Sequence, residues 1–384
     1  MLRRGGQFMG DMIRQADLLL LALCCAATGF GILMIASATH YMGSARYVIV
    51  QAVAAVLGVV LYFMTSLLDV NELMKKGWKW TFLFNIVLIL LLKTPLGFES
   101  NGNLAWLHFP GFPVNIQPAE IVKITFVLLL AKQLAWLKEE RNDLRSITAV
   151  GSLGAHLMII FGLYYAISSD MGSGLVLIFI FVCMAFVAGV AARWFIGGFA
   201  CAGIGFYILW NEDVIKDYMK KRFIVLFDHS YDAMDTGWQQ TRSLMTLGGG
   251  KVTGMGLFHG TQTQSEYVWS LPFRYTDFIF SVIGEELGII GCVLVLLLLL
   301  AIILRCLVTA KRAKTSMEAY VCVGVAAMLT FQVIANVGMC LFVMPVIGLT
   351  LPFISYGGSS IVTLFIAVGL VSGIHKRSRP EWLR

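Results

Sequence analysis

Ten stretches of apolar residues run through this chain, each about the length an α-helix needs to cross the hydrocarbon core of a bilayer, roughly twenty residues. They fall at about 17–39, 46–68, 79–97, 118–137, 148–168, 172–191, 194–210, 277–305, 318–343 and 358–375. In lipid every backbone polar group has to be satisfied within the protein, so only helices and closed barrels can span. The stretches lack the apolar/polar alternation of barrel strands. The expected fold is an all-α polytopic membrane protein, a single transmembrane domain over residues 1–384. Composition agrees, since 58% of the 384 residues are hydrophobic, only 13% are charged, and the mean hydropathy is +0.81. A soluble chain carries about a quarter charged residues.

The net charge of +7 does not point to nucleic acid. The basic residues sit in short segments between apolar spans, which is the positive-inside pattern of membrane topology. With the N-terminus inside, the inner segments hold Arg3, Arg4 and Arg14; Lys75, Lys76 and Lys79; Lys132, Lys138, Arg141 and Arg145; Arg193; Arg305, Lys311, Arg312 and Lys314; and Lys376, Arg377, Arg379 and Arg384. The short outer loops hold little beyond Arg46 and Lys93. Both termini are therefore expected in the cytoplasm. Ala36-Ser37-Ala38 mimics a signal-peptidase site, but the preceding run of about twenty residues is long for a signal peptide, and an uncleaved first span is expected. The eight cysteines all lie in apolar segments without a CxxC pair. They read as small buried hydrophobes, neither a disulfide framework nor a metal site.

One connection breaks the rhythm. Asn211–Thr276 is long, polar and, by the charge pattern, extracytoplasmic. It has a mixed-charge start, the acids Asp228, Asp232 and Asp235, an expected amphipathic helix at Trp238–Leu247, and the glycine-rich run GGGKVTGMG. Long loops with structure of their own are usually functional. The glycine run fails the P-loop spacing. Its exposed amides and Lys251 would suit an anionic headgroup such as a lipid phosphate, or the run is simply flexible.

Ionisable residues at membrane depth are functional candidates. Glu120 and Lys123, three apart on one helical face behind Gln117-Pro118, form either a packing ion pair or part of a site. Asp170, in the turn SSDMGSG, reads as a helix N-cap or a site residue. Asp277 has the same two readings, with Thr276 a rival cap. A carboxylate at the membrane boundary is also placed for general-base work, because desolvation raises its pKa. Glu285 and Glu286 lie about two turns deeper; adjacent residues differ by about 100° around a helix, so one is expected to face the interior and the other a neighbouring helix. Gly348–Ser360, GLTLPFISYGGSS, carries Pro352 and the pair Gly357-Gly358 and is expected to be broken, re-entrant backbone, tolerated only where it is buried or lines a cavity. By topology Glu120, Lys123, Asp170, Asp277 and this loop share the outer leaflet. That common depth suggests a site for a lipid-linked anionic substrate.

These residues resemble the SEDS family (shape, elongation, division and sporulation), the RodA/FtsW-type proteins of bacterial wall synthesis. The match runs through most of the chain: QPAEIVK (Gln117–Lys123), WQQTRSLMTLGGGKVTGMGLFHGTQ (Trp238–Gln262), TDFIFSVIGEELG (Thr276–Gly288) and LPFISYGGSS (Leu351–Ser360). The resemblance implies a peptidoglycan glycosyltransferase that polymerises lipid II at the outer face of the bacterial cytoplasmic membrane, paired with a class B penicillin-binding protein and other elongation or division machinery. It implies Asp277 as general base on the acceptor 4-hydroxyl, which attacks the anomeric carbon of the donor with inversion and expels undecaprenyl pyrophosphate. It also implies a divalent cation, Mg or Mn, at the leaving pyrophosphate, with Asp277 a possible ligand, and Glu120–Lys123 as a cavity ion pair. On chemistry, Arg222, Arg242, Lys251 and Arg274 are expected phosphate contacts; Gln117, Asp170, Glu285, Glu286, Ser355, Gly357 and Gly358 are expected in support.

The chain departs from the family pattern near this site. Ala119 replaces a common Ser, Ser173 a common Thr, and Phe273 and Tyr275 stand where Glu and His are usual; Glu266–Leu271 is a few residues longer. HGTQTQSE (His259–Glu266) is closer to the RodA elongation branch. A lipid II flippase and a non-enzymatic scaffold for the transpeptidase are the alternatives. Intramembrane charges and broken helices suit a transporter, but the polar groups cluster at one face and no inverted repeat is evident.

Overall fold

The computed structural model describes residues 16–100, 102–109, 111, 115–141, 144–212, 217–228 and 236–378. The basic residues expected at the extreme termini (Arg3, Arg4, Arg14, Arg379 and Arg384) and the loop acids Asp232 and Asp235 lie outside the described residues. Ten long helices form the bundle: α1 (Leu18–Ala38), α2 (Arg46–Ser66), α3 (Val70–Leu90), α4 (Pro118–Glu139), α5 (Ile147–Ser168), α6 (Met171–Ala188), α7 (Ala192–Asn211), then α10 (Ile279–Arg312), α11 (Ser316–Cys340) and α12 (Gly358–Ser378). Between α7 and α10 lie α8 (Asp217–Ile224) and α9 (Thr236–Gly249). The chain is a helical polytopic membrane protein. Among the described residues seven helices, α1, α2, α5, α6, α10, α11 and α12, are long and apolar enough to cross a bilayer. Among the other long helices, α3 carries Glu72, Lys75, Lys76 and Lys79 in its first half, and α4 carries charges along its length.

Local chemistry explains where the helices begin. The side chains of Asp17, Asp69, Ser146, Asp170 and Thr315 each accept a first-turn amide, of α1, α3, α5, α6 and α11 respectively. Such caps satisfy amides that have no partner inside the helix. Pro118, which has no amide to lose, opens α4. A small feature that hydropathy does not reveal follows α3: an antiparallel hairpin of β1 (Gly97–Ser100) and β2 (Asn103–Leu107), in register Gly97 to Leu107 with a bulge at Phe98/Glu99.

The core sits where α11 meets α10, α6 and α4, and where α12 lies along α2. By contrast, α7 has no fully buried residue among those described and lies on the outside of the bundle. Long-range contacts define two ends. At one, buried Asp17 pairs with Arg305 (2.7 Å), its amide bonds Ser372 and its carbonyl accepts from Tyr62; Arg377 reaches Glu318 and the Leu68 carbonyl. At the other end α9, the loop behind it, the start of α10 and the segment between α11 and α12 come together. All eight cysteines are free.

Candidate active site

The long helix α10 is two helical runs joined at Gly288, whose backbone (φ 65°, ψ −165°) is not helical. In an unbroken helix Ile289 and Ile290 would donate to the Glu285 and Glu286 carbonyls. Here the glycine-rich run takes all four groups. Met255 and Gly256 amides donate to the Glu285 and Glu286 carbonyls at 2.9 Å each, and Ile289 and Ile290 amides donate to Lys251 and Val252 carbonyls at 3.0 and 3.3 Å. A β-carbon at Gly288 would run into the Val252 carbonyl, and the positive φ suits only glycine. The Met255 and Gly256 amides therefore close the break in a membrane helix, so these two are not open to the headgroup that the run's amides were expected to suit. The Lys251 side chain itself remains exposed.

The two glutamates just before the break are clasps. Both oxygens of buried Glu285 are used: Oε1 accepts from the Gln262 amide (2.7 Å), and Oε2 from the Thr263 amide (2.8 Å) and hydroxyl (2.6 Å). Buried Glu286 accepts from the Ser37 hydroxyl of α1 at 2.7 Å and from the Gln264 amide group at 2.9 Å. Glu286 meets a neighbouring helix, as one of the two was expected to, while Glu285 holds the loop at Gln262 and Thr263. Arg274 holds the same loop from the other side. Its guanidinium, 1% exposed, donates to the carbonyls of Thr263 (2.6 Å), Ser265 (2.9 Å), Leu271 (3.2 Å), Tyr267 (3.2 Å) and Gln262 (3.3 Å), and stacks on Tyr41. The phosphate contact expected of Arg274 is corrected, because it is buried and each of its nitrogens donates to loop carbonyls that would otherwise be buried unpaired. Arg242 of α9 stacks on Trp238 at 4.2 Å, and Arg222 of α8 lines a cleft.

That cleft is small, with room for about 10 Å³, and is lined by Asp170, Arg222, Met219, Asn103, Pro345 and Ile347, among others. Asp277 is not among its lining residues but feels the charges of two that are, Arg222 and Asp170. Two carboxylates with the same pair of readings in sequence separate here. Asp170 caps α6, accepting from the Ser173 amide (3.2 Å), the Ser173 hydroxyl (2.7 Å) and the Tyr164 hydroxyl (2.9 Å). Asp277 caps nothing, since the N-cap position of α10 is Phe278 and it makes no side-chain cap bond. No described side chain or amide donates to the Asp277 carboxylate; a β-carbon on Gly348 would lie 3.9 Å from its Oδ2. Asp277 keeps part of its surface open, but the protein packed around it is dense. Desolvation dominates and pushes its pKa up to about 6, with Arg222 pulling it down and Asp170 pushing it further up.

The segment between α11 and α12 frames this carboxylate. It is irregular and largely buried, as Pro352 and the glycine pair suggest, and it passes so close to Gly31 of α1 that a side chain there would strike the Ile354 backbone. Ser355 donates to the Thr276 carbonyl (2.6 Å), and the Tyr356 amide donates to the Tyr275 carbonyl (2.9 Å). Gln51 of α2 accepts from the Gly357 amide (3.0 Å) while its own amide group donates to the Ser355 carbonyl (3.0 Å); Gly358 then begins α12. Tyr275 packs with Tyr47 and Tyr356 in a three-ring cluster. Glu120 and Lys123 are both buried and pair at 2.7 Å, following Gln117 at the N-cap position of α4. Gln51, Asn336 and Ser37 carry contacts here that sequence reasoning passes over; the available signal is a polar residue within an apolar run.

Comparison with known proteins follows the same elements. A family model described as "Cell cycle protein", FTSW_RODA_SPOVE, matches residues 17–380. A relative from Geobacter metallireducens, "Probable peptidoglycan glycosyltransferase FtsW", is 29% identical over 378 residues, 96% of each chain. "Peptidoglycan glycosyltransferase MrdB" of Escherichia coli is 32% identical over 320 residues, 82% of each. A solved chain described under "Structural coordination of polymerization and crosslinking by a peptidoglycan synthase complex" superposes with a TM-score of 0.78 at 29% identity, over 95% of this chain and 99% of that one. The chain belongs to the FtsW/RodA/SpoVE cell cycle protein family.

Proposed function

We propose that this protein is a peptidoglycan glycosyltransferase that polymerises lipid II and acts beside a class B penicillin-binding protein. The observation that carries the reading is the Asp277 carboxylate: partly open, without a hydrogen-bond donor among the described residues, and with its pKa pushed up to about 6. A general base needs a pKa near working pH and a free lone pair, and Asp277 has both. In the proposed reaction the acceptor sugar's 4-hydroxyl loses its proton to Asp277. Its oxygen forms the new bond to the donor's anomeric carbon as the bond to undecaprenyl pyrophosphate breaks. Arg222 in the adjoining cleft and exposed Lys251 are the cations proposed to meet the pyrophosphate. The site is proposed to face the extracytoplasmic side, with both termini in the cytoplasm, because the basic residues concentrate towards the opposite end of the bundle.

The donors available for a divalent cation are few. Among the described residues no three or more His, Cys, Asp or Glu side chains cluster as a metal site, and Asp170, Glu285 and Glu286 are already hydrogen-bonded. This suits an ion that takes most of its ligands from substrate phosphates and water, with Asp277 as a carboxylate ligand, as magnesium often does. Such an ion would supply charge neutralisation at the leaving pyrophosphate. The loop HGTQTQSE favours the elongation branch.

The test is lipid II polymerisation by the purified chain, with and without its transpeptidase, for wild type and Asp277→Asn. Glycan strands from wild type and their loss in a folded mutant support the enzyme. A flippase or scaffold would yield no strands from either.

A further inference from the structure

Asn336 lies buried in α11, four residues before the helix ends. Its side-chain amide donates to two carbonyls at once: that of Asp277 at 2.8 Å and that of Leu349 at 2.8 Å. Its own Oδ1 is buried without a partner. One amide thus ties the residue that begins the α10 entry to the segment that faces it. The neighbour of Leu349 is Gly348, the residue set against the Asp277 carboxylate. The backbone before Asp277 is tied to the same segment through Ser355 and Tyr356. The Asn336 bonds differ from these in acting on Asp277 itself.

We propose that Asn336 is the positioning residue of Asp277, holding its backbone and the Gly348–Leu349 turn in one fixed relation so that the carboxylate faces the reacting hydroxyl with no protein donor to satisfy it. This rests on the reading of Asp277 as base. Burying an amide whose oxygen stays unpaired costs free energy, and a purely structural tether could be made without that cost. Orientation is what such a tether supplies: displacement of a reacting group by about 1 Å can cost on the order of a hundredfold in rate.

The experiment is the pH profile of lipid II polymerisation by the full-length chain with its transpeptidase, per folded molecule, for wild type, Asp277→Asn, Asn336→Leu and the milder Asn336→Ser, which keeps one donor. Asn336→Leu is expected to lower kcat about tenfold or more while KM stays within about twofold. Its acid limb should move to lower pH, because a loosened turn lets water reach the carboxylate and relieves its desolvation. Asn336→Ser should move kcat and limb the same way by less, and decides the matter if the leucine variant does not fold. Asn336 variants that melt earlier but keep wild-type kcat and limb overturn the positioning role alone. A wild type without an acid limb, or an active Asp277→Asn, overturns the base reading and the positioning role with it.

Discussion

At the residue scale the site turns on what each carboxylate is bonded to. Asp170, Glu285 and Glu286 are held by donors, whereas Asp277 has none among the described residues. Asp277→Asn should reduce strand synthesis at least about a hundredfold with the melting temperature nearly unchanged, as removal of an essential base does. The pH dependence follows from the direction of its shift. Only the ionised carboxylate accepts a proton, so initial rates should rise as pH increases through about 6 and level off above it. The Glu120–Lys123 pair obeys a different rule, since both side chains are buried. Removing either partner alone strands a charge and should cost about 3–5 kcal/mol, while replacing both by Gln and Met should cost much less. Melting curves of the two single variants and the double variant check this. In sequence, Asp170 and Asp277 were equivalent, because a helix-start carboxylate reads the same whether its lone pairs are used or free.

At the element scale the decisive feature is the break in α10 and the run that fills it. Gly288→Ala should undock residues 251–256, since it both strains a positive φ and pushes against the Val252 carbonyl. Faster amide exchange at Met255 and Gly256 would report that undocking. Glu285→Gln should expose the Gln262 and Thr263 amides in the same measurement while leaving Met255 and Gly256 protected, because it removes the loop clasp and not the break. Hydropathy finds α10 as one span and cannot find its interruption: a long apolar run follows Gly288, and the loop that compensates for it lies more than thirty residues earlier. The amphipathic helix expected at Trp238–Leu247 appears as α9, since its own periodicity encodes it.

At the scale of the whole molecule the two ends of the bundle have separate duties. The Asp17–Arg305 pair joins the start of α1 to the far end of α10, with Asp17 only 2% exposed, away from the proposed chemistry. Asp17→Ala should lower the melting temperature through a lost buried pair worth about 3–5 kcal/mol. Its pH–rate profile per folded molecule should match wild type; a moved acid limb would show that the ends are coupled.

Hydropathy, charge placement and local caps already specify the class of fold, the long helices and the membrane character, because each depends on neighbours a turn or two away. The same holds for family membership, which rides on contiguous motifs such as TDFIF and LPFISYGGSS. Other features depend on contacts between distant segments: Arg274 as a loop anchor, the glutamates as clasps, and Asn336 joining Asp277 to Leu349. A guanidinium in the sequence looks the same whether it will meet a phosphate or five backbone carbonyls. Only the packed chain decides, because burial makes every unpaired polar group costly and assigns each donor to whatever acceptor the fold brings within about 3 Å.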